Sequence, residues 1–169
     1  MNNPKILIVE DSKITQETLK KNFTELGCEL KIASDAEKAQ IILNEKFEPH
    51  IIILDLNLPG KSGPEFYHDI AKNYKGIVVP FTAHWGSNED PMEDLAIEWL
   101  SSARNQKQKN TLQFEVFKPI SKGKSEDVTE VPIELIMSVG NALIRKNCKL
   151  SPLFEIKLKQ ISKTWTQTI

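Results

Sequence analysis

Polar side chains follow four short apolar runs of this 169-residue chain. Glu10, Asp11 and Ser12 come after KILIV, Asp55 after IIIL, Thr82 after VVPF, and Lys118 after FEVF. Taken singly, each has an ordinary structural role. Acids favour the first turn of a helix, where the dipole is positive; a threonine can cap, and a lysine can stand in solvent. Gathered at one edge of one sheet, however, the three carboxylates would repel unless a cation neutralised them. Clustered carboxylates with a backbone carbonyl make a hard oxygen site of the kind Mg2+ takes, with waters and phosphate oxygens completing its shell. A carboxylate beside such an ion can act as a nucleophile and form an aspartyl phosphate. Phosphoryl transfer needs mainly positioning and charge neutralisation. A metal on one side and a lysine on the other supply both, and a nearby hydroxyl can bond a phosphoryl oxygen and register its arrival.

These side chains meet only if the runs before them are neighbouring strands. Five runs qualify: Lys5–Val9, Glu29–Ala33, Ile51–Leu54, residues 76–81 (GIVVPF) and residues 114–117 (FEVF). Several are apolar throughout, as expected of strands covered on both faces of a parallel sheet. Helical patterns separate them. Leu19, Phe23 and Leu26 fall at i, i+4 and i+7, with Gly27 as a stop. Asp35 can cap a helix that puts Ala36, Ala39 and Leu43 on one face. Residues 64–73 and 91–104 read as two more helices. The second has Asp90 as cap, Pro91 at the first position, Glu93 three after the cap, and an inward stripe of Leu95, Trp99, Leu100 and Ala103. Alternating strand and helix predicts a parallel α/β sheet with helices on both faces. Such sheets place their sites outside the carboxyl ends of the strands, near the switch in strand order.

VEDS, LDLNLPGKSG, FTA and FKPI thus stand in this order within residues 5–147, and together they resemble the receiver domain of two-component response regulators. The resemblance implies a flavodoxin-like (CheY-like) α/β sandwich with a five-stranded parallel sheet. It implies that Asp55 is the phosphoacceptor, that Asp11, Asp55 and the Asn57 backbone carbonyl hold Mg2+ with Glu10 in the acidic pocket, and that Thr82 and Lys118 bind the phosphoryl group and switch. Pro119 follows a peptide bond commonly cis in that family. The donor would be a phosphohistidine on a sensor histidine kinase or histidine phosphotransfer protein. The chain would be a signalling domain and not an enzyme, catalysing only its own phosphotransfer and autodephosphorylation. Its output would pass to a protein target, or to a second copy in a homodimer, through the face of the fourth helix, fifth strand and fifth helix.

The chain departs from that pattern in three places. Glu115 stands where the family usually has an aromatic, three residues before the lysine. A long segment separates Thr82 from Lys118, and a polar insertion, residues 121–131, precedes the last receiver helix, which is expected to start near Pro132. The departures read either as loop drift or as a remodelled output surface. His84, two residues after Thr82, and Glu115 are candidates for modulating the switch, and His84 has an equally good bystander reading.

Residues 1–147 make up the expected receiver, and residues 148–169 a C-terminal helical extension. In the extension Ser151 and Pro152 read as cap and first turn, and Leu150, Phe154, Leu158, Ile161 and Trp165 recur at helical spacing. It reads as a helix packed on the receiver, a dimerisation helix or a basic amphipathic surface. Some twenty residues are too few for a helix-turn-helix, so a 169-residue protein would be a stand-alone receiver. The formal net charge of −1 gives no case for nucleic acid or membrane binding. No run approaches the ~18 apolar residues of a membrane span. MNNPKILIVEDS lacks a signal-peptide pattern, and Cys28 and Cys148 lack the spacing of a metal or redox motif, so a cytoplasmic protein is expected. Two other functions compete. A haloacid-dehalogenase-type phosphatase would want a second acid two residues after the nucleophile, where Asn57 stands. A pseudo-receiver, binding partners without phosphorylation, would have lost some of Asp11, Asp55, Thr82 and Lys118.

Overall fold

The aliphatic runs bury both of their faces. The computed structural model describes residues 3–71, 73–86, 93–109 and 114–168. In chain order its elements are β1 (Lys5–Val9), α1 (Lys13–Glu25), β2 (Glu29–Ala33), α2 (Ala36–Asn44), β3 (Ile51–Leu54), α3 (Gly63–Ile70), β4 (Ile77–Thr82), α4 (Glu93–Gln108), β5 (Glu115–Val116), β6 (Ile120–Ser121), α5 (Ile133–Arg145) and α6 (Pro152–Thr168). Every residue of β3 and β4 is buried, as is β1 beyond Lys5. With no polar face to show to water, these strands must lie inside a sheet covered on both sides.

The strands pair in parallel in the order β2-β1-β3-β4-β5, a flavodoxin-like sheet between two helical layers. Strand order reverses between β1 and β3, so the residues after Val9 and Leu54 flank the switch point, where open α/β sheets keep their sites. Alternate side chains go to opposite faces. Ile6, Ile8, Ile51, Ile53 and Val79 pack with α1, α5 and α6. Leu7, Val9, Ile52, Leu54 and Val78 pack with α2, α3 and α4.

Local chemistry sets the helix ends. The Ser12 hydroxyl accepts from the Thr15 N–H (3.3 Å), Asp35 from the Lys38 N–H (2.8 Å) and Ser62 from the Glu65 N–H (3.3 Å), each satisfying a donor the helix leaves free. Gly27, at φ +86°, ends α1 with the Cys28 N–H bonded back to the Phe23 carbonyl. α3 stops at Ile70, short of the expected 73. Buried Tyr74 turns back toward the sheet, and its hydroxyl donates to the Pro49 carbonyl at 3.1 Å. α4 runs past the expected 104 to Gln108. Of its expected stripe Leu100 is buried and Trp99 half-buried. Asp90 and Pro91, and the side chains of Glu93, Leu95, Ala103 and Trp165, lie outside the described residues.

The largest difference from expectation is in the fifth strand. β4 pairs Ile77 with Glu115 and Val78 with Val116, then Phe81 with Ile120 and Thr82 with Ser121. Three steps along β4 thus match four along its neighbour. This is a one-residue bulge over Phe117–Pro119, after which the chain resumes as β6 beside the end of β4. The peptide bond before Pro119 is trans.

The tail helix packs on α1 and α5. The Ser151 hydroxyl donates to the Leu26 carbonyl (2.7 Å) and accepts from the Phe154 N–H (3.1 Å), joining the end of α1 to the start of α6. Phe154 is fully buried, its ring centroid 6.5 Å from that of Phe23, and Ile161 joins the same core. No helix among the described residues is long and apolar enough to cross a membrane. Because Phe154 fills the same core as α1 and α5, Phe154→Ala should destabilise the whole chain by about 3 kcal/mol, in one cooperative thermal transition. A separate melt of the tail, with the main transition unmoved, would contradict this packing.

Candidate functional site

β1 and β3 end level with one another, because Val9 pairs with Leu54, and β4 runs on two residues past Pro80, the partner of Leu54, to Thr82. The residues after them therefore share one edge. Asp55 is 1% exposed, Glu10 2% and Thr82 3%. The Asp55 N–H donates to the Val9 carbonyl (3.0 Å), which keeps the backbone in register one residue past β3. The loop then folds back closely. At Gly63 an added Cβ would sit 2.8 Å from the Leu56 Cα and 3.1 Å from the Asp55 carbonyl oxygen, so only glycine allows this approach.

Both Asp55 oxygens are engaged. Oδ1 accepts from the Asn57 N–H at 3.0 Å and the Thr82 hydroxyl at 3.1 Å, and Oδ2 from the Lys122 ammonium at 3.0 Å. Lys122 Nζ also lies 2.6 Å from Glu10 Oε2 and 3.2 Å from Glu126 Oε2, with its side chain fully buried. Asp11 is exposed at the mouth. Ligand atoms of Glu10, Asp11, Asp55 and Glu126 all lie within 4.8 Å of one another. This all-oxygen carboxylate set fits a hard divalent cation such as Mg2+. Burial, and then the Asp55 charge, raise the Glu10 carboxyl from an ordinary 4.5 to about 7, against the pull of Lys122. Burial raises Asp55 from 3.8 to about 6, again against Lys122. Burial pulls the Lys122 ammonium down, but Asp55 and Glu10 together outweigh it and leave the pKa above the ordinary lysine value.

Of the residues singled out in the sequence, Glu10, Asp11, Asp55 and Thr82 come together, with Asn57 bonded to Asp55 through its backbone. Lys118 does not join them. It is exposed, on the bulge beside the sheet, and the ammonium in the pocket belongs to Lys122. The reason is register. Thr82 is level with Ser121, so the first side chain past that strand end is residue 122, held there by the Lys122 N–H bonding the Thr82 carbonyl at 3.0 Å. Glu115 is also remote. It pairs with Ile77 at the opposite end of β4, about 17 Å from Thr82 at strand rise, and forms an ion pair with Arg145 at 2.7 Å. His84 sits just past β4 at φ +61°, half-buried, its N–H donating to the Gly123 carbonyl at 2.7 Å.

Lys122 and Glu126 were not singled out in the sequence. One signal against Lys118 existed. β4 carries six residues to Thr82, and the four of FEVF cannot run alongside all of them. The partner strand must continue to Ile120, which leaves Lys118 short of its end, and the bulge then makes Lys122 and not Ser121 the next residue. Nothing in the sequence marks Glu126.

The family model for the response regulator receiver domain matches residues 6–99, more than half of the chain. The aerobic respiration control protein ArcA of Escherichia coli K12 is 43% identical over 63 residues, 37% of this chain and 26% of ArcA, so the chain spans about a quarter of the length of the curated relatives it matches. Among solved structures, the signal receiver domain of an HD domain-containing protein from Pseudomonas fluorescens Pf-5 superposes with a TM-score of 0.63 at 21% identity, covering 86% of this chain and 98% of its own. The receiver domain of the Francisella response regulator 1452 gives 0.61 at 23%, covering 85% and 99%. The signal receiver domain of a putative LuxO repressor from Vibrio parahaemolyticus gives 0.56 at 28%, covering 85% and 92%.

The raised acids predict an effect on stability. A folded state that keeps protons the unfolded chain has released is stabilised at low pH and loses that advantage as pH rises. For Glu10 and Asp55 the window runs from about 4 to about 7. In chelator the melting temperature should therefore fall across this window, and fall less in Asp55→Asn. A fall equally steep in the variant would show that other groups cause it.

Proposed function

The chain belongs to the response regulator receiver domain family, and we propose that within two-component signalling Asp55 accepts a phosphoryl group from a phosphohistidine on a sensor histidine kinase or histidine phosphotransfer protein. The observation that carries the reading is the state of the Asp55 carboxylate. It ends a fully buried central strand, with a hydroxyl and an amide on one oxygen, an ammonium on the other and further carboxylates beside it. In the transfer a carboxylate oxygen attacks phosphorus, the P–N bond breaks, and the imidazole leaves with that electron pair.

Asp11, Asp55 and the Asn57 backbone carbonyl would hold Mg2+, with Glu10 completing the acidic pocket. Mg2+ there supplies charge neutralisation for the phosphoryl oxygens. The chain's own residues do the rest. Lys122, in the role the sequence suggested for Lys118, turns from the Asp55 oxygen to a phosphoryl oxygen. The Thr82 hydroxyl gives up its bond to Oδ1 and takes another phosphoryl oxygen, drawing the end of β4 toward the site. The near-complete burial of Asp55 limits the approach of hydrolytic water. The signal then passes to a protein target through the surface around α4, β5 and α5.

Asp55→Asn should abolish acid-stable, hydroxylamine-labile labelling by radiolabelled acetyl phosphate. Lys122→Ala should retain Mg2+ binding and lose the response to beryllofluoride, read as hydrogen-exchange protection along β4, while Lys118→Ala should respond like the wild type. Normal labelling of Asp55→Asn would refute the acceptor assignment. A lost response in Lys118→Ala with a normal one in Lys122→Ala would return the lysine role to Lys118.

A further inference from the structure

Residues 122–131 do not lie on the output face; they run back across the mouth of the pocket. Three bonds fasten them to the first turn of α1. The Thr15 hydroxyl donates to the Glu126 carbonyl (2.8 Å) and accepts from the Val128 N–H (2.8 Å), and the Ser12 hydroxyl donates to Asp127 Oδ1 (2.6 Å). Thr15 is fully buried, and Val128 and Val131 enter the core beside α1 and α5. The backbone from the Glu126 carbonyl to the Val128 N–H is thereby fixed, and the Glu126 Oε2 lies 3.2 Å from the Lys122 ammonium.

An ammonium has three N–H donors, and Lys122 has three carboxylate partners. Two of them, Glu10 and Asp55, are buried within the pocket, whereas the Glu126 side chain is 44% exposed at its rim. Without the rim charge the ammonium would settle inward, its third donor on an oxygen of Glu10 or Asp55. A cation entering the pocket would then have to displace it. We propose that Glu126 is a positioning residue for Lys122: it draws the ammonium toward the rim and so leaves oxygens of Glu10 and Asp55 open to a divalent cation. The proposal rests on the reading of Asp55 as a metal-assisted phosphoacceptor and adds to that reading a residue from the strap.

Titration calorimetry of Mg2+ into the full chain tests it. Glu126→Gln, a change at a half-exposed side chain, should weaken Mg2+ binding about fivefold, the scale of one partly exposed ion pair. Asp127→Asn removes the same charge one residue away, keeps an acceptor for Ser12, and should stay within about twofold of wild type. In a Lys122→Met background Glu126→Gln should no longer matter, since the effect passes through the ammonium. Unchanged affinity in Glu126→Gln overturns the proposal and leaves the acceptor reading intact. Equal weakening by Asp127→Asn overturns it in favour of net charge, and an effect that persists without Lys122 overturns it in favour of Glu126 as a direct ligand. A wild-type protein that binds no Mg2+ would overturn the acceptor reading itself.

Discussion

Glu10 and Asp55 have almost no access to water, and their charges lie close enough to repel; the Lys122 ammonium, 2.6 Å from one and 3.0 Å from the other, makes the arrangement tolerable. Removing one member of a buried ion pair typically costs about 3–5 kcal/mol, because the remaining charge is left uncompensated. The pocket is thus held by a balance. Two buried acids and a rim acid share one cation, and burial still keeps both buried acids well above their ordinary pKa. Any second cation, or any new anion on Asp55, must redistribute the ammonium.

What places Lys122 is backbone pairing. β4 is long, and its last two residues pair with β6 only because the neighbouring chain takes an extra residue at Phe117–Pro119. A bulge beside a site is a common way to re-aim a side chain. Here it sends Lys118 to solvent and turns the next lysine inward. The strap after β6 is fastened in turn to the first turn of α1. The sheet end, the α1 cap and the strap therefore form one connected hydrogen-bonded rim around Asp55. Ser12 shows the economy of it, accepting the Thr15 N–H as helix cap while its hydroxyl hydrogen goes to Asp127.

The tail follows the same logic at the other end of α1. Ser151 bonds the Leu26 carbonyl at the end of α1 and starts α6, and Phe154 enters the core between α1 and α5. Elements at both ends of α1 thus come from the C-terminal part of the chain.

Much of this could be read from the chain without coordinates. Unbroken aliphatic runs as short as IIIL, bounded by turn residues, read as strands buried on both faces, and Ser12, Asp35 and Gly27 mark helix ends by short-range bonds. An acid after each of two such strands implies a charged edge. These features depend on neighbours a few residues away, which is why Glu10, Asp11, Asp55 and Thr82 were legible. Lys118 falls short of the pocket by strand length, since the register of Glu115 on Ile77 puts it beside Pro80, whereas the bulge that makes Lys122 and not Ser121 the next side chain leaves no local mark. Glu126 was invisible because its role comes from Thr15 and Ser12, 111 and 115 residues from the groups they bond. The sequence by itself determined the sheet, its buried strands and the acids at their ends, since burial and capping act locally. Only the tertiary structure decided which lysine faces those acids and which strap closes over them, since pairing register and contacts between distant segments are set by the whole fold.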